Sequence, residues 1–445
     1  MSFNKRVAFY TLGCKVNQYE TESIKNQLLK KGYTETAFEE KAEIYIVNSC
    51  TVTSVADRKT RNMLRRAKKI NPRGIVIVTG CYAQTNSKEL LEMEEIDYVI
   101  GNSDKNAIVN FIEDIENRTM EKVKNHNIFL DSEYTEYEFA TLREMSRAYV
   151  KIQDGCNNFC SYCKIPFARG KSRSRKKENI IKEIEKLVEE GFKEIILIGI
   201  NLGAYGEDLD EGENFESLLK SILEINKLQR VRIGSVYPDK ISDEFINMFD
   251  NKKLMPHLHI SLQSCDDEVL KRMRRKYGSS LIEERLLKLK KKVKNMEYTA
   301  DVIVGFPGET EENFEELKAF IEEYKFDYVG VFKYSREEDT KAYDMENQVP
   351  EEIKEKRWVE ITNLQSKIAE NKNRNMLGKI VEVMIDGVST ESEYLLEGRT
   401  KGQALEIDGK VLTNDGTAKP GEIVKVKLEQ NFDYDFIGPI VENEQ

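Results

Sequence analysis

A chain of 445 residues has room for about two or three domains and a large core. At 40% hydrophobic it has a globular composition, and with no apolar run long enough to span a bilayer, no membrane partner is expected. The net charge of −10 argues against nucleic-acid binding spread over the whole surface. The segment Met1–Val7 shows no signal-peptide core, so a cytoplasmic location is expected. In that reducing setting seven cysteines point to metal or cluster use rather than to a disulfide framework.

Taken in chain order, Arg6–Gly13, Glu43–Ser49 and Ile75–Gly80 read as buried strands, with helices near Glu20–Lys31 and Val55–Ile70 between them. The β-α-β-α-β alternation predicts a parallel, Rossmann-like sheet as the core of a first domain over 1–140. Each strand is followed at once by a cysteine, Cys14, Cys50 or Cys81, on the edge where such sheets bind ligands. A shared offset argues against chance buried thiols, and three thiolates at one edge suit an iron–sulfur cluster with an open corner. Beyond a short helix at Ile108–Ile115, a polar connector is expected, with His126 as a solvated loop residue.

A middle domain over 141–370 offers six strand candidates: Tyr149–Asp154, Glu194–Ile200, Arg230–Val236, His257–Ser264, Tyr298–Phe306 and Tyr328–Tyr334. Amphipathic helices such as Glu178–Glu190, Leu281–Lys294 and Glu311–Tyr324 separate most of them, which predicts a partial (β/α)6 barrel with its site at the carboxyl ends of the strands. Directly after the first strand comes Cys156-Asn-Asn-Phe-Cys160-Ser-Tyr-Cys163, three thiols with no fourth ligand close by. A three-thiolate set suits a cubane with one open iron; zinc or a disulfide is the alternative. In the fourth strand His257, His259, Ser261 and Gln263 share one face, expected to line the lumen and bond substrate or cofactor, while Leu258, Ile260 and Leu262 face the helices. Cys265 reads as a packed thiol.

Over 371–445, Lys379–Asp386, Tyr394–Thr400, Ala404–Glu406 and Glu422–Leu428 read as short strands punctuated by Gly, Asp and Pro, which predicts a small antiparallel β-barrel. Three basic blocks are candidate phosphate footprints: Arg58–Lys69, Arg169–Lys177 and Lys271–Lys276. Solvated faces are the alternative.

The C-x3-C-x2-C spacing, with Tyr162 before the third cysteine, resembles the signature of radical S-adenosylmethionine (SAM) enzymes. That likeness implies a 4Fe-4S cluster on Cys156, Cys160 and Cys163. It implies SAM contacts from Tyr162, Asn201 at the end of Gly199-Ile200-Asn201, and Val304 and Gly305 in the segment Asp301–Glu309. Ser235, Gln263 and Arg275 are further candidates for SAM contacts. Thr11-Leu-Gly-Cys14-Lys-Val-Asn17-Gln-Tyr19-Glu20-Thr21, Val47-Asn48-Ser49-Cys50-Thr51 and Thr79-Gly80-Cys81-Tyr82 resemble the methylthiotransferase N-terminal domain, which implies a second 4Fe-4S cluster on Cys14, Cys50 and Cys81. The continuation after Cys14 resembles the branch acting on N6-threonylcarbamoyladenosine in tRNA, with Ser49 standing where that branch commonly has Thr. The C-terminal module resembles TRAM, an RNA-binding barrel.

The resemblance implies a radical SAM tRNA methylthiotransferase. SAM would serve as methyl donor and radical source, carbon 2 of threonylcarbamoyladenosine at position 37 would receive the methylthio group, and the partners would be that tRNA, a flavodoxin- or ferredoxin-type electron donor and a sulfur source. The same machinery on isopentenyladenosine or a ribosomal-protein side chain is the alternative within the family. A non-enzymatic two-cluster electron carrier or iron sensor is the alternative outside it.

Overall fold

The computed structural model describes residues 5–116, 121–137, 146–210, 212–404 and 408–441. The expected boundary near residue 140 and residues 405 and 406 of the expected strand Ala404–Glu406 lie outside the described residues; Ala404 itself is not in a strand.

The first domain is a fully parallel sheet in the spatial order Thr34–Glu35, Arg6–Thr11, Ile44–Ser49, Ile75–Gly80, Tyr98–Ile100, Val123–Lys124. Alternation along its strands fills two cores. Ala8, Tyr45, Val47, Val76 and Val78 meet Leu64 and Ala67 of the helix Ser54–Ile70 on one face. Val7, Ile44, Ile46 and Ile77 meet Ile24 and Leu28 of Lys15–Lys30 and Ile108 and Ile112 of Ile108–Glu116 on the other. The three-strand reading thus held for the central strands; the short strands at 34–35, 98–100 and 123–124 carried too little periodicity to be read.

The middle domain places its six strands side by side in sequence order, all parallel, from Arg147–Lys151 at one edge to Tyr328–Lys333 at the other. The third is interrupted at Gly234, between Arg230–Ile233 and Ser235–Val236. Leu258, Ile260 and Leu262 do face the helices, within one large core that also buries Cys265. The open side next to the first strand is covered by the first domain, whose Val16 and Tyr19 pack on Tyr149, Ile196 and Ile198.

The C-terminal module is a seven-stranded sheet whose central strand, Leu396–Arg399, lies between Val411–Thr413 and Ile380–Val388, antiparallel except where Val411–Thr413 pairs with Asp435–Gly438. Leu396–Arg399 and Ile423–Lys427 match expected strands, whereas Val411–Thr413 and the three strands after residue 429 were not expected. Its acidic side chains close the base of the barrel. Arg399 donates to Glu194 at 2.8 Å and to both oxygens of Asp386, Arg147 reaches Asp386 at 3.2 Å, and Asp408 meets His257 at 2.8 Å. His259 bonds Thr299 at 2.8 Å and Asp301 at 3.1 Å. His259 thus has a protein partner at each ring nitrogen, whereas His257 pairs with Asp408 through Nε2 and its Nδ1 is buried without a hydrogen-bond partner among the described residues. Their carboxylates come from a neighbouring strand and another module, beyond the reach of local spacing.

Burial pushes the Glu194 carboxyl up, but Arg232 and Arg399 outweigh it and bring it down to about 2 from an ordinary 4.5. Because the folded value is the lower one, the stability Glu194 contributes is complete above pH about 4.5 and disappears as the pH falls toward 2. Glu194→Gln leaves Arg232 and Arg399 under-neutralised and should cost about 3–5 kcal/mol at neutral pH. Urea unfolding of both proteins from pH 7 downward checks this: the gap should be widest above pH about 4.5 and close below it.

Candidate functional site

The carboxyl edge of the first sheet gathers three cysteines from three adjacent strands. Cys50 and Cys81 each follow their strand directly; Cys14 follows three residues after Thr11, because that strand stops short of Gly13. Two glycines make the gathering possible. Gly13 (φ +99°) passes so close to Cys50 that a Cβ would lie 2.9 Å from the Cys50 Cβ, and a Cβ on Gly80 (φ +97°) would lie 2.4 Å from the Ser49 carbonyl oxygen. Burial, then the neighbouring Cys81 and Cys14, pushes the Cys50 thiol up to about 12. Asn102 directs its Nδ2 toward the Cys81 sulfur at 3.5 Å while also donating to the Ala168 carbonyl.

The second trio lies on the loop after the first barrel strand. Cys156 donates its N–H to the Gly170 carbonyl, Cys163 to that of Cys160, and the Ile165 N–H points at the Cys163 sulfur at 3.4 Å. Ser161 pins the loop from the other side through Arg272, Met273 and Ala342. Burial, followed by the charge of Cys160, pushes the Cys163 thiol up to about 12. Cys50, Cys81, Cys156 and Cys160 are buried, Cys163 is half-buried and Cys14 is exposed; thiols so placed, with N–H donors aimed at the Cys81 and Cys163 sulfurs, fit iron–sulfur ligation. No three Cys, His, Asp or Glu side chains among the described residues converge on a single-ion site.

Arg275 Nη2 donates to the Tyr162 hydroxyl at 2.6 Å, and the guanidinium packs over Tyr162, Tyr237 and Tyr277. Its Nε and Nη1 are buried without a hydrogen-bond partner among the described residues. Asn201 is buried and held through its N–H by Gln153 Oε1 at 2.8 Å. The same oxygen takes the Ile200 N–H, and Gln153 Nε2 bonds the carbonyls of Asp154 and Gly155 at the start of the cysteine loop. Gln153 thus ties the first and second strand ends together, and sequence reasoning missed it. Ser235 and Gln263 (φ +66°) also sit at strand ends, and Val304 is fully buried. Gly305 (φ +72°) donates to Glu309, but its close neighbour is Lys354, whose Cγ would lie 2.3 Å from an added Cβ.

The second basic block is split, with Lys171 and Lys176 exposed and its three arginines withdrawn from solvent. Arg169, Arg173 and Arg175 are all buried in ion pairs. The first block is solvated, with Arg58, Lys59, Arg65 and Arg66 exposed on the helix that begins just past Cys50. In the third, Lys271, Arg274 and Lys276 are exposed, while Arg272 bonds the Gly308 carbonyl and Arg275 belongs to the tyrosine cage.

Arg169 instead enters a buried hub that joins the two cysteine edges. Glu20 accepts from Lys105 at 2.6 Å, Lys151 at 2.7 Å and Arg169 at 2.9 Å, while Asp154 pairs with Lys151 and Arg169. Arg169 Nη2 also reaches Asn17 Oδ1 at 2.6 Å, and Asn17 Nδ2 donates to the carbonyls of Leu12 and Ser49, flanking Cys14 and Cys50. Tyr19 donates to Glu183 of the barrel, and Thr21 bonds Thr11 and Asn48. Asn17, Tyr19 and Glu20 thus join the first domain to the barrel, while Thr21 braces the first domain itself.

Three comparisons bear on this site. The model of the uncharacterized protein family UPF0004 matches residues 6–101, that of the radical SAM superfamily residues 150–321 and that of the TRAM domain residues 377–441. A Bacillus subtilis protein named threonylcarbamoyladenosine tRNA methylthiotransferase MtaB is 41% identical over 426 residues, 95% of this chain and 93% of that protein. A Geotalea uraniireducens protein named ribosomal protein uS12 methylthiotransferase RimO is 37% identical over 456 residues, 99% of each. Among solved structures, the radical SAM methyltransferase TsrM from Kitasatospora setae, with cobalamin and a 4Fe-4S cluster bound, shares the fold: its TM-score is 0.56 at 13% identity, covering 74% of this chain and 75% of that one.

Glu20→Gln keeps the shape of the hub but leaves Lys105, Lys151 and Arg169 short of a negative charge. It should lower stability by about 3–5 kcal/mol, read as a shift in the urea midpoint of the cluster-free protein.

Proposed function

We propose that this chain, which belongs to the radical SAM methylthiotransferase family, adds a methylthio group to carbon 2 of N6-threonylcarbamoyladenosine at position 37 of tRNA. The observation that carries this reading is the pair of three-thiol edges, one on each domain, joined through a single buried carboxylate. Cys156, Cys160 and Cys163 would hold the 4Fe-4S cluster that the radical SAM family implies, and Cys14, Cys50 and Cys81 an auxiliary one. When bound and reduced, such a cluster supplies the electron that cleaves SAM to a carbon radical, the chemistry an unactivated adenine C–H requires.

The chain's own groups would then bind and shield. Arg275, with Nε and Nη1 uncommitted, suits the SAM carboxylate, a planar anion that a guanidinium holds well. Gln153 fixes the backbone at Ile200 and Asn201, where the SAM amine would bond, and the Val304–Gly305 turn would flank the adenine. For tRNA as substrate, support comes from the TRAM match and from the exposed cations Arg58 and Lys59 beside the Cys50 edge. A side chain of a ribosomal protein is the second reading, favoured by the similar identity of the RimO relative. A flavodoxin- or ferredoxin-type reductant and a separate sulfur source are the further partners this reading requires.

Chromatography of tRNA nucleosides from a deletion strain should show the 2-methylthio derivative replaced by unmodified threonylcarbamoyladenosine; an unchanged profile overturns the tRNA assignment. Anaerobic protein should release 5′-deoxyadenosine from SAM under dithionite. Changing Cys156, Cys160 and Cys163 together to Ala should remove that release and about half the iron per chain, one cluster of two.

A further inference from the structure

Beside the Cys156–Cys163 loop lies a cleft of about 680 Å³ that the reading above leaves unused. Phe129 and Phe167 line one wall, and Phe159 packs against both rings. Phe129 and Phe159 stack with centroids 6.3 Å apart and planes inclined by 11°, and Phe167 meets both nearly edge-on, at 6.2 and 6.0 Å. Phe159 stands between two cysteines of the loop, yet it is 39% exposed, and Phe167 is 43% exposed. Two neighbouring rings this open to water form an exposed apolar patch, the kind of surface that marks a contact site.

The opposite wall comes from the first domain, just past Cys81, and it is stiff. Gln84 donates to the His126 carbonyl at 2.8 Å and accepts from the Ser103 N–H, and Asn125 donates to the Gln84 carbonyl at 3.0 Å. Asn127, at the rim, uses only its oxygen, on the Phe129 N–H, and among the described residues its Nδ2 has no partner. The basic helix Ser54–Ile70 is tied to this wall through side chains: Arg61 pairs with Glu89 at 3.2 Å, and Glu89 also accepts from Asn86, which lines the cleft. On the outer surface of that helix Arg58 and Lys59 are exposed and make no ion pair among the described residues.

We propose that this cleft seats an unstacked base of a single-stranded RNA loop, with the base against Phe167 and Phe129, an edge contact from Asn127 Nδ2, and the adjoining phosphates near Arg58 and Lys59. Stacking on aromatic side chains and edge hydrogen bonds are how splayed loop bases are held, while phosphates take the cations. An acidic protein partner would answer to the cations but leave the concave ring-and-carboxamide lining unfilled. The assignment rests on the tRNA reading above and would place a nucleotide next to the target adenosine, outside the SAM site.

The test is fluorescence anisotropy of an anticodon stem-loop RNA with the cluster-loaded protein at several salt concentrations. Phe167→Leu keeps apolar bulk but loses the ring, and should weaken binding about tenfold with the visible cluster absorbance intact. Arg58→Glu with Lys59→Glu, a purely surface change, should weaken binding and flatten its salt dependence. Wild-type affinity in both variants overturns the proposal, as does a Phe167→Leu protein that binds RNA normally but is reduced more slowly by flavodoxin, which would assign the cleft to the electron carrier. If the wild-type protein itself ignores the RNA and modifies a ribosomal protein, the tRNA reading falls and the cleft assignment falls with it.

Discussion

One buried carboxylate, Glu20, holds the molecule to a single geometry. It sits in the helix that follows Cys14 and takes cations from its own domain, Lys105, and from the barrel, Lys151 and Arg169. Burial pushes its carboxyl up, but Arg169, Lys105 and Lys151 hold it well below the ordinary range. Charges this deep are costly to bring out of water, so the network cannot be justified as raw stability. What it imposes is exclusivity: sliding the first domain along the barrel would strand the two barrel cations, Lys151 and Arg169, at once. The carboxyl edge that carries Cys14, Cys50 and Cys81 is thereby fixed against the helix that follows Cys163.

The base of the barrel uses the same device with the signs redistributed. Glu194 lies between Arg232 and Arg399, and Asp386 and Asp408 of the C-terminal module serve Arg147, Arg399 and His257. The acidity of that module, which looks unsuited to RNA, is in part this internal neutralisation. Two of its carboxylates face the barrel, so they should not be counted as surface charge. Chemistry is left to the upper end and docking of the module to the lower one.

Much of this plan could be read from the sequence because it depends on local signals. Period-two alternation placed the central strands, and the position of each cysteine just past a strand placed it on the correct edge. The hub could not be read, since its partners lie 85, 131 and 149 residues from Glu20. Arg169, Arg173 and Arg175 looked like a phosphate footprint for a related reason: a run of cations reveals charge but not burial. The short strands of the C-terminal module hide because pairs and triplets of residues carry no period.

Among the residues that suggested a tRNA substrate, Asn17, Tyr19 and Glu20 bond the barrel residues Arg169, Glu183 and Lys151, while Thr21 bonds Thr11 and Asn48 within the first domain. Everything else rests on two thiol trios held at one mouth by Glu20. The direct measurement is anomalous diffraction at the iron edge from anaerobically reconstituted crystals. Two iron centres, one at Cys14, Cys50 and Cys81 and one at Cys156, Cys160 and Cys163, are expected; a single centre, or iron absent from the first trio, would contradict the arrangement.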